Sequence, residues 1–214
     1  MPQTVLLLDE DTLMRRIPFT LLMLGGLVLA AVLTNTYIEK ISQPWLDRFG
    51  FAPNDLWYWQ LERLFTSALV TSGGRVFWLA MFFIAFAVGL SEWLTSSMRA
   101  AATFWGVHLL TLVLLSFIVS FALHPLRSVG LEASEVARDV GPSAGYFASL
   151  RLISAKLKRP WNWASGVLIF VVFLVSLFLP PSAGEDARIK FSADLAHLMA
   201  FPLGWLSAFV GIKR

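Results

Sequence analysis

Apolar residues run through this chain in long unbroken blocks and do not alternate with polar ones. Six blocks of roughly 20 residues stand out: Ile17 to Tyr37, Val76 to Leu94, Ala101 to Leu123, Pro142 to Leu157, Asn162 to Leu179 and Phe191 to Val210. That is about the length a helix needs to cross a hydrocarbon core, where only helices and closed barrels satisfy every backbone polar group. Continuous runs select helices over barrel strands. The pattern predicts an all-α membrane protein: a six-helix transmembrane bundle over residues 17–214, preceded by a short N-terminal segment, 1–16, with no separate soluble domain. Arg15-Arg16 before the first run has the look of a signal-peptide flank. The run is longer than the apolar region of such a peptide and five more follow, which favours a retained anchor.

Composition agrees: 57% of the 214 residues are hydrophobic and only 14% are charged, with a mean hydropathy of +0.69. A soluble globule is excluded. Basic residues near the ends of the runs give the orientation. If the runs alternate, Arg15, Arg16, Arg99, Arg151, Lys156, Lys158, Arg159, Lys213 and Arg214 share one side. The opposite side spreads Lys40, Arg48, Arg63, Arg75, Arg127 and Arg138 over longer loops, so both termini are expected in the cytoplasm of a bacterial-type plasma membrane. Arg151 is close enough to that end to snorkel, and Lys156, Lys158 and Arg159 form a positive-inside anchor or a contact for anionic membrane lipid. The isoelectric point of about 9.5 therefore needs no nucleic acid to explain it.

Two polar residues interrupt the oily sequence in a way that suggests chemistry. Ser143 lies in Gly141-Pro142-Ser143-Ala144-Gly145 and His197 in Asp194-Leu195-Ala196-His197-Leu198-Met199-Ala200. In a six-span topology the fourth and sixth runs both start at the outer face. At 1.5 Å per residue, Ser143 then sits roughly 6 Å and His197 roughly 10 Å below it. Pro142 suits the first helical position and Gly141 the cap before it, which places Ser143 in the first turn. The N–H groups of that turn lack intrahelical acceptors and sit at the positive end of the helix dipole, available to an oxyanion. The plainer reading is that Gly141, Gly145 and Ala148 form a small-residue stripe for close helix packing, and both readings can hold together. His197 shares a helical face with Ala193, Ala200 and Gly204, small residues that let another backbone come close. An ionisable side chain in a span carries function or hydrogen-bonds a neighbouring helix. Asp194, three residues earlier, either orients the imidazole or is solvated at the interface.

From about Trp59 to Gly204 the chain resembles the rhomboid family of intramembrane serine proteases. Leu61-Glu62-Arg63-Leu64-Phe65-Thr66-Ser67-Ala68 is similar to the family's Trp-Arg-x-x-Thr segment, with Glu62 where tryptophan is usual. Gly89-Leu90-Ser91-Glu92-Trp93-Leu94-Thr95-Ser96 is similar to the pattern that ends its second span. Gly141-Pro142-Ser143-Ala144 resembles its nucleophile motif, and Ala196-His197 its sixth-span histidine. Gly-x-Ser-x-Gly also marks the nucleophile elbow of soluble α/β hydrolases, but that setting needs a strand before the serine, which is missing here.

The resemblance implies a catalytic dyad in which His197 takes the proton of Ser143 and Ser143 attacks a peptide carbonyl of a transmembrane protein substrate. The backbone N–H groups of Ser143 and Ala144 would hold the oxyanion, with Gly141, Gly145 and Ala200 as supporting small residues. No cofactor is implied. Active members carry a histidine and an asparagine on the second span, and an ungapped reading from Thr66 puts Val76 and Ala80 there. Each lost oxyanion donor costs about 3 kcal/mol of transition-state stabilisation. The alternative is thus a catalytically silent relative that binds transmembrane helices, and a small channel or transporter is the third reading.

The first loop, Glu39 to Arg75, contains Trp45, Phe49, Phe51, Trp57, Tyr58 and Trp59, a density suited to an interfacial anchor or to substrate guidance. His108, midway along the third run, reads as a hydrogen-bonded core residue, and His124 lies at that run's outer end. Three separated histidines and no cysteine present no recognisable metal site and allow no disulfide.

Overall fold

The computed structural model describes residues 16–122, 138–181 and 187–209. The described part is helical, apart from isolated β-bridges at Lys40–Gly73 and Phe51–Asp139. Helix α1 (Pro18–Thr34) is followed by short α2 (Gln43–Phe49) and α3 (Arg63–Thr66) in the first loop. Next come α4 (Arg75–Leu94) and α5 (Ser97–Phe117), the latter prolonged by a π turn over Ile118–Ala122. The last three are α6 (Ser143–Ser154), α7 (Trp161–Phe178) and α8 (Ala187–Phe209).

Among the described residues, three helices are long and apolar enough to cross a membrane: α4, α5 with its π extension, and α7. Helix α1 is apolar but one turn shorter than a full span, at 17 residues. Helix α6, with 12 residues, rises only about 18 Å. The sixth apolar run becomes the 23-residue α8, whose N-terminal turns carry Arg188, Lys190 and Asp194. Lys190 and Asp194 form an i,i+4 ion pair. Ser176, near the end of α7, donates to Asp194 Oδ1 at 3.0 Å, and its carbonyl accepts from Lys190 Nζ at 2.7 Å. The Asp194 carboxylate is therefore buried and engaged, and is not a solvated interface group. His124, Arg127, Lys213 and Arg214 lie outside the described residues.

Helix α6 is enclosed by its neighbours, with Ala144, Gly145, Ala148, Ser149 and Leu152 all buried. Small residues are what allow this. A Cβ on Gly145 would lie 2.4 Å from the ring of Phe104 on α5, and one on Gly204 of α8 would lie 2.5 Å from the carbonyl oxygen of Ala148. The small-residue stripe is thus a real packing device, joining α6 to α5 on one side and to α8 on the other. Helix α7 buries only Gly166 and forms an outer wall.

Polar side chains fasten the ends of the bundle. Glu92, at the C-terminal end of α4, is 2% exposed. It accepts from Phe19 N at 2.9 Å, Thr20 N at 2.8 Å and Thr20 Oγ1 at 2.6 Å, which satisfies N–H groups that α1 cannot satisfy itself. In the first loop the buried Asp55 accepts from Ala52 N at 2.9 Å and from Arg138 Nη1 at 2.6 Å, with Arg63 Nη1 at 3.6 Å. Thr66 donates to the Phe49 carbonyl at 3.1 Å. Arg63 and Thr66 thus hold the loop to itself and, through Asp55 and Arg138, to the segment that leads into α6. The loop's aromatics divide: Phe51 is buried, whereas Tyr58 and Trp59 are exposed. Trp57 donates to Ser120 Oγ at 2.9 Å and packs edge-on against Phe117 and Phe121.

Candidate active site

Ser143 is the first residue of α6, and Pro142 is its N-cap, with φ −77° and ψ 9°. The helix therefore starts one residue later than the sequence predicts, where Pro142 is the first helical residue and Gly141 the cap. The reason lies in the approach. Gly141 has φ 145°, a conformation that favours glycine, and its N–H donates to the Ser67 carbonyl at 2.8 Å. Phe51 and Asp139 exchange backbone hydrogen bonds of 3.0 and 2.9 Å just upstream. The first i→i−4 bond at the start of α6 runs from Tyr146 N to the Pro142 carbonyl, at 3.1 Å. The N–H groups of Ser143 and Ala144 precede it and keep their first-turn freedom. Beside them, the Asp139 carboxyl accepts a hydrogen bond from Val140 N at 2.8 Å.

His197 projects from α8 toward α6. Its ring meets Phe147 edge-on, with centroids 4.9 Å apart, and Phe173 of α7 at 5.8 Å. Phe147 follows Ser143 by one helical turn on the same face of α6. Ala200, one turn beyond His197, is fully buried with Ala144 and Ala148. The two sequence-predicted residues therefore lie on the facing surfaces of one tightly packed helix pair. No hydrogen bond joins Ser143 to His197 among the described residues, and Asp194 is committed to Lys190 and Ser176.

Ser143 also lines a cavity of about 30 Å³ together with Ser67, His108, Asp139, Ala144 and Ser192. His108 Nε2 lies 3.1 Å from the Leu64 carbonyl oxygen. A carbonyl only accepts, so Nε2 carries a proton, and in the neutral imidazole Nδ1 holds a lone pair. His108 Nδ1, Ser67 Oγ and Ser192 Oγ are buried without a hydrogen-bond partner. The volume admits about two waters and the walls offer them partners. Sequence reading placed His108 as a core histidine bonded to a neighbour; it has that bond, and it also shares a polar cavity with Ser143. The sequence does not mark Ser67 or Ser192 as a neighbour of Ser143, because nothing in a serine's flanking residues tells which cavity it will face.

The second-span positions contribute nothing polar. Val76 is 46% exposed on the outer surface, and Ala80 belongs to the apolar cluster of Met23, Leu27 and Ile84. Neither lines the Ser143 cavity. Among the described residues no three His, Asp or Glu side chains come together as a metal site. No protein-family model matches the chain, and no curated protein or solved structure matches it.

Proposed function

We propose that the protein is an intramembrane serine protease of rhomboid type: a six-span bundle in a bacterial-type plasma membrane, both termini cytoplasmic, that cleaves transmembrane substrates near the outer face. The observation that carries the reading is the contact of His197 with Phe147, one turn from Ser143 on the same face of α6. In this reading His197 accepts the Oγ proton as Ser143 attacks the peptide carbonyl, and returns it to the leaving amine; water then resolves the acyl-enzyme. The free N–H groups of Ser143 and Ala144 hold the oxyanion.

The shortness of α6 supports this chemistry. With its C-terminal end at one interface, a helix rising about 18 Å leaves its N-terminus well inside a core of about 30 Å. Non-helical backbone at such depth persists where protein buries it or where it lines a wet cavity. The segment from Asp139 to Pro142 meets both conditions. The cavity walls also give water a place beside the serine.

A second reading, a silent protein that binds transmembrane helices, is favoured by Val76 and Ala80. Without side-chain donors there, each absent hydrogen bond costs about 3 kcal/mol of transition-state stabilisation. The test is reconstitution in liposomes with a single-span model substrate. The protease reading expects slow cleavage by the wild type and none by Ser143→Ala at equal expression. Cleavage that survives Ser143→Ala contradicts it, and substrate binding without cleavage by the wild type selects the second reading.

A further inference from the structure

Arg151 does not snorkel. It lies on the buried face of α6, 6% exposed, one turn before that helix ends. Its Nη1 donates to Ser154 Oγ at 2.8 Å and to the Asn162 carbonyl at 3.5 Å. Among the described residues no carboxylate pairs with it. Phe201 and Trp205 of α8 lie on the guanidinium at 5.8 and 5.3 Å, which offsets part of its desolvation. A charge removed from water without a counter-ion is costly, and costlier still among membrane helices.

The guanidinium borders a cavity of about 190 Å³ between α6, α7 and α8, lined also by Trp163, Gly166, Phe170, Phe201 and Trp205. Gly166 makes room for the guanidinium: a Cβ there would stand over its face, 3.2 Å from Cζ, 3.3 Å from Nη2 and 3.5 Å from Nε. Those two nitrogens make no hydrogen bond among the described residues, and together they form the two-donor edge that fits a phosphate side-on. Val167, which also lines the cavity, and Val171 further along α7 are exposed and apolar, a path for acyl chains. Trp163 and Trp205 pack edge to face at 5.0 Å by the helix ends, the residue type that belongs at headgroup level. The exposed Lys156, Lys158 and Arg159 follow in the adjoining loop.

We propose that this cavity is a binding site for the phosphodiester of an anionic phospholipid, held two-pronged by Arg151 Nε and Nη2 with the acyl chains along α7. Basic pockets between membrane helices take such headgroups. The site stands apart from Ser143 and does not depend on proteolysis.

The experiment is native mass spectrometry and thermal unfolding of the full-length protein in detergent, with phosphatidylglycerol, phosphatidylcholine or inorganic phosphate added. Wild type is expected to retain phosphatidylglycerol about tenfold better than phosphatidylcholine and to unfold at higher temperature with phosphatidylglycerol alone. Arg151→Met, which keeps the volume and removes the charge, is expected to lose that preference, whereas Lys158→Gln keeps most of it. Equal retention of the two lipids by wild type overturns the proposal, as does an unchanged preference in Arg151→Met. An equal thermal shift with inorganic phosphate also overturns it, by assigning the site to a free anion. Should Arg151→Met fail to fold, the wild-type preference between the two lipids decides.

Discussion

Gly145 is where α5 and α6 touch: a Cβ there would lie 2.4 Å from the Phe104 ring. Gly145→Ala is expected to cost about 1–3 kcal/mol of stability through overpacking. Detergent-denaturation midpoints check it, and a midpoint equal to that of wild type contradicts it. At this scale the sequence was partly legible. Gly145, Ala200 and Gly204 announce close packing by their size alone. That Gly145 faces Phe104, and Gly204 the Ala148 carbonyl, depends on helices far apart in the chain. Arg151 shows the limit of inference from position along a helix. Its distance from the helix end suggests snorkelling, but Gly166 makes room for it inside.

Glu92 links two elements, capping α1 from the end of α4. Glu92→Ala leaves two backbone N–H groups and one hydroxyl without their acceptor in a buried place. It is expected to cost about 2 kcal/mol of stability, and Glu92→Gln less, since one acceptor oxygen remains. Detergent-denaturation midpoints of the three proteins check the ranking; equal midpoints for wild type and Glu92→Ala contradict it. Hydropathy located the long helices well because their apolar runs carry the signal themselves. Boundaries were less legible: Gly141, tied to Ser67, shifts the start of α6 by one residue, and that tie is tertiary. The π turns at Ile84–Val88 and Ile118–Ala122 left no trace in the apolar pattern. The family-like Glu92 and Arg63 are explained by what they hold, a helix cap and a loop hub.

For the whole molecule, the apolar pattern gave the helical class directly, and three helices among the described residues have the length and composition of spans. The others carry that signal less cleanly. Helix α6 is short and enclosed, and α8 carries an ion pair that its hydropathy averages away. Function was legible only as residue types. The facing of Ser143 and His197 across one helix pair, and the cavity Ser143 shares with His108, are products of packing. The central claim is that Ser143 is a nucleophile activated by His197. Labelling the purified protein with a fluorophosphonate probe tests it most directly. The account predicts a single adduct on Ser143, lost in Ser143→Ala and in His197→Ala; a folded wild type that takes no label, or a His197→Ala variant that labels as well as wild type, contradicts it.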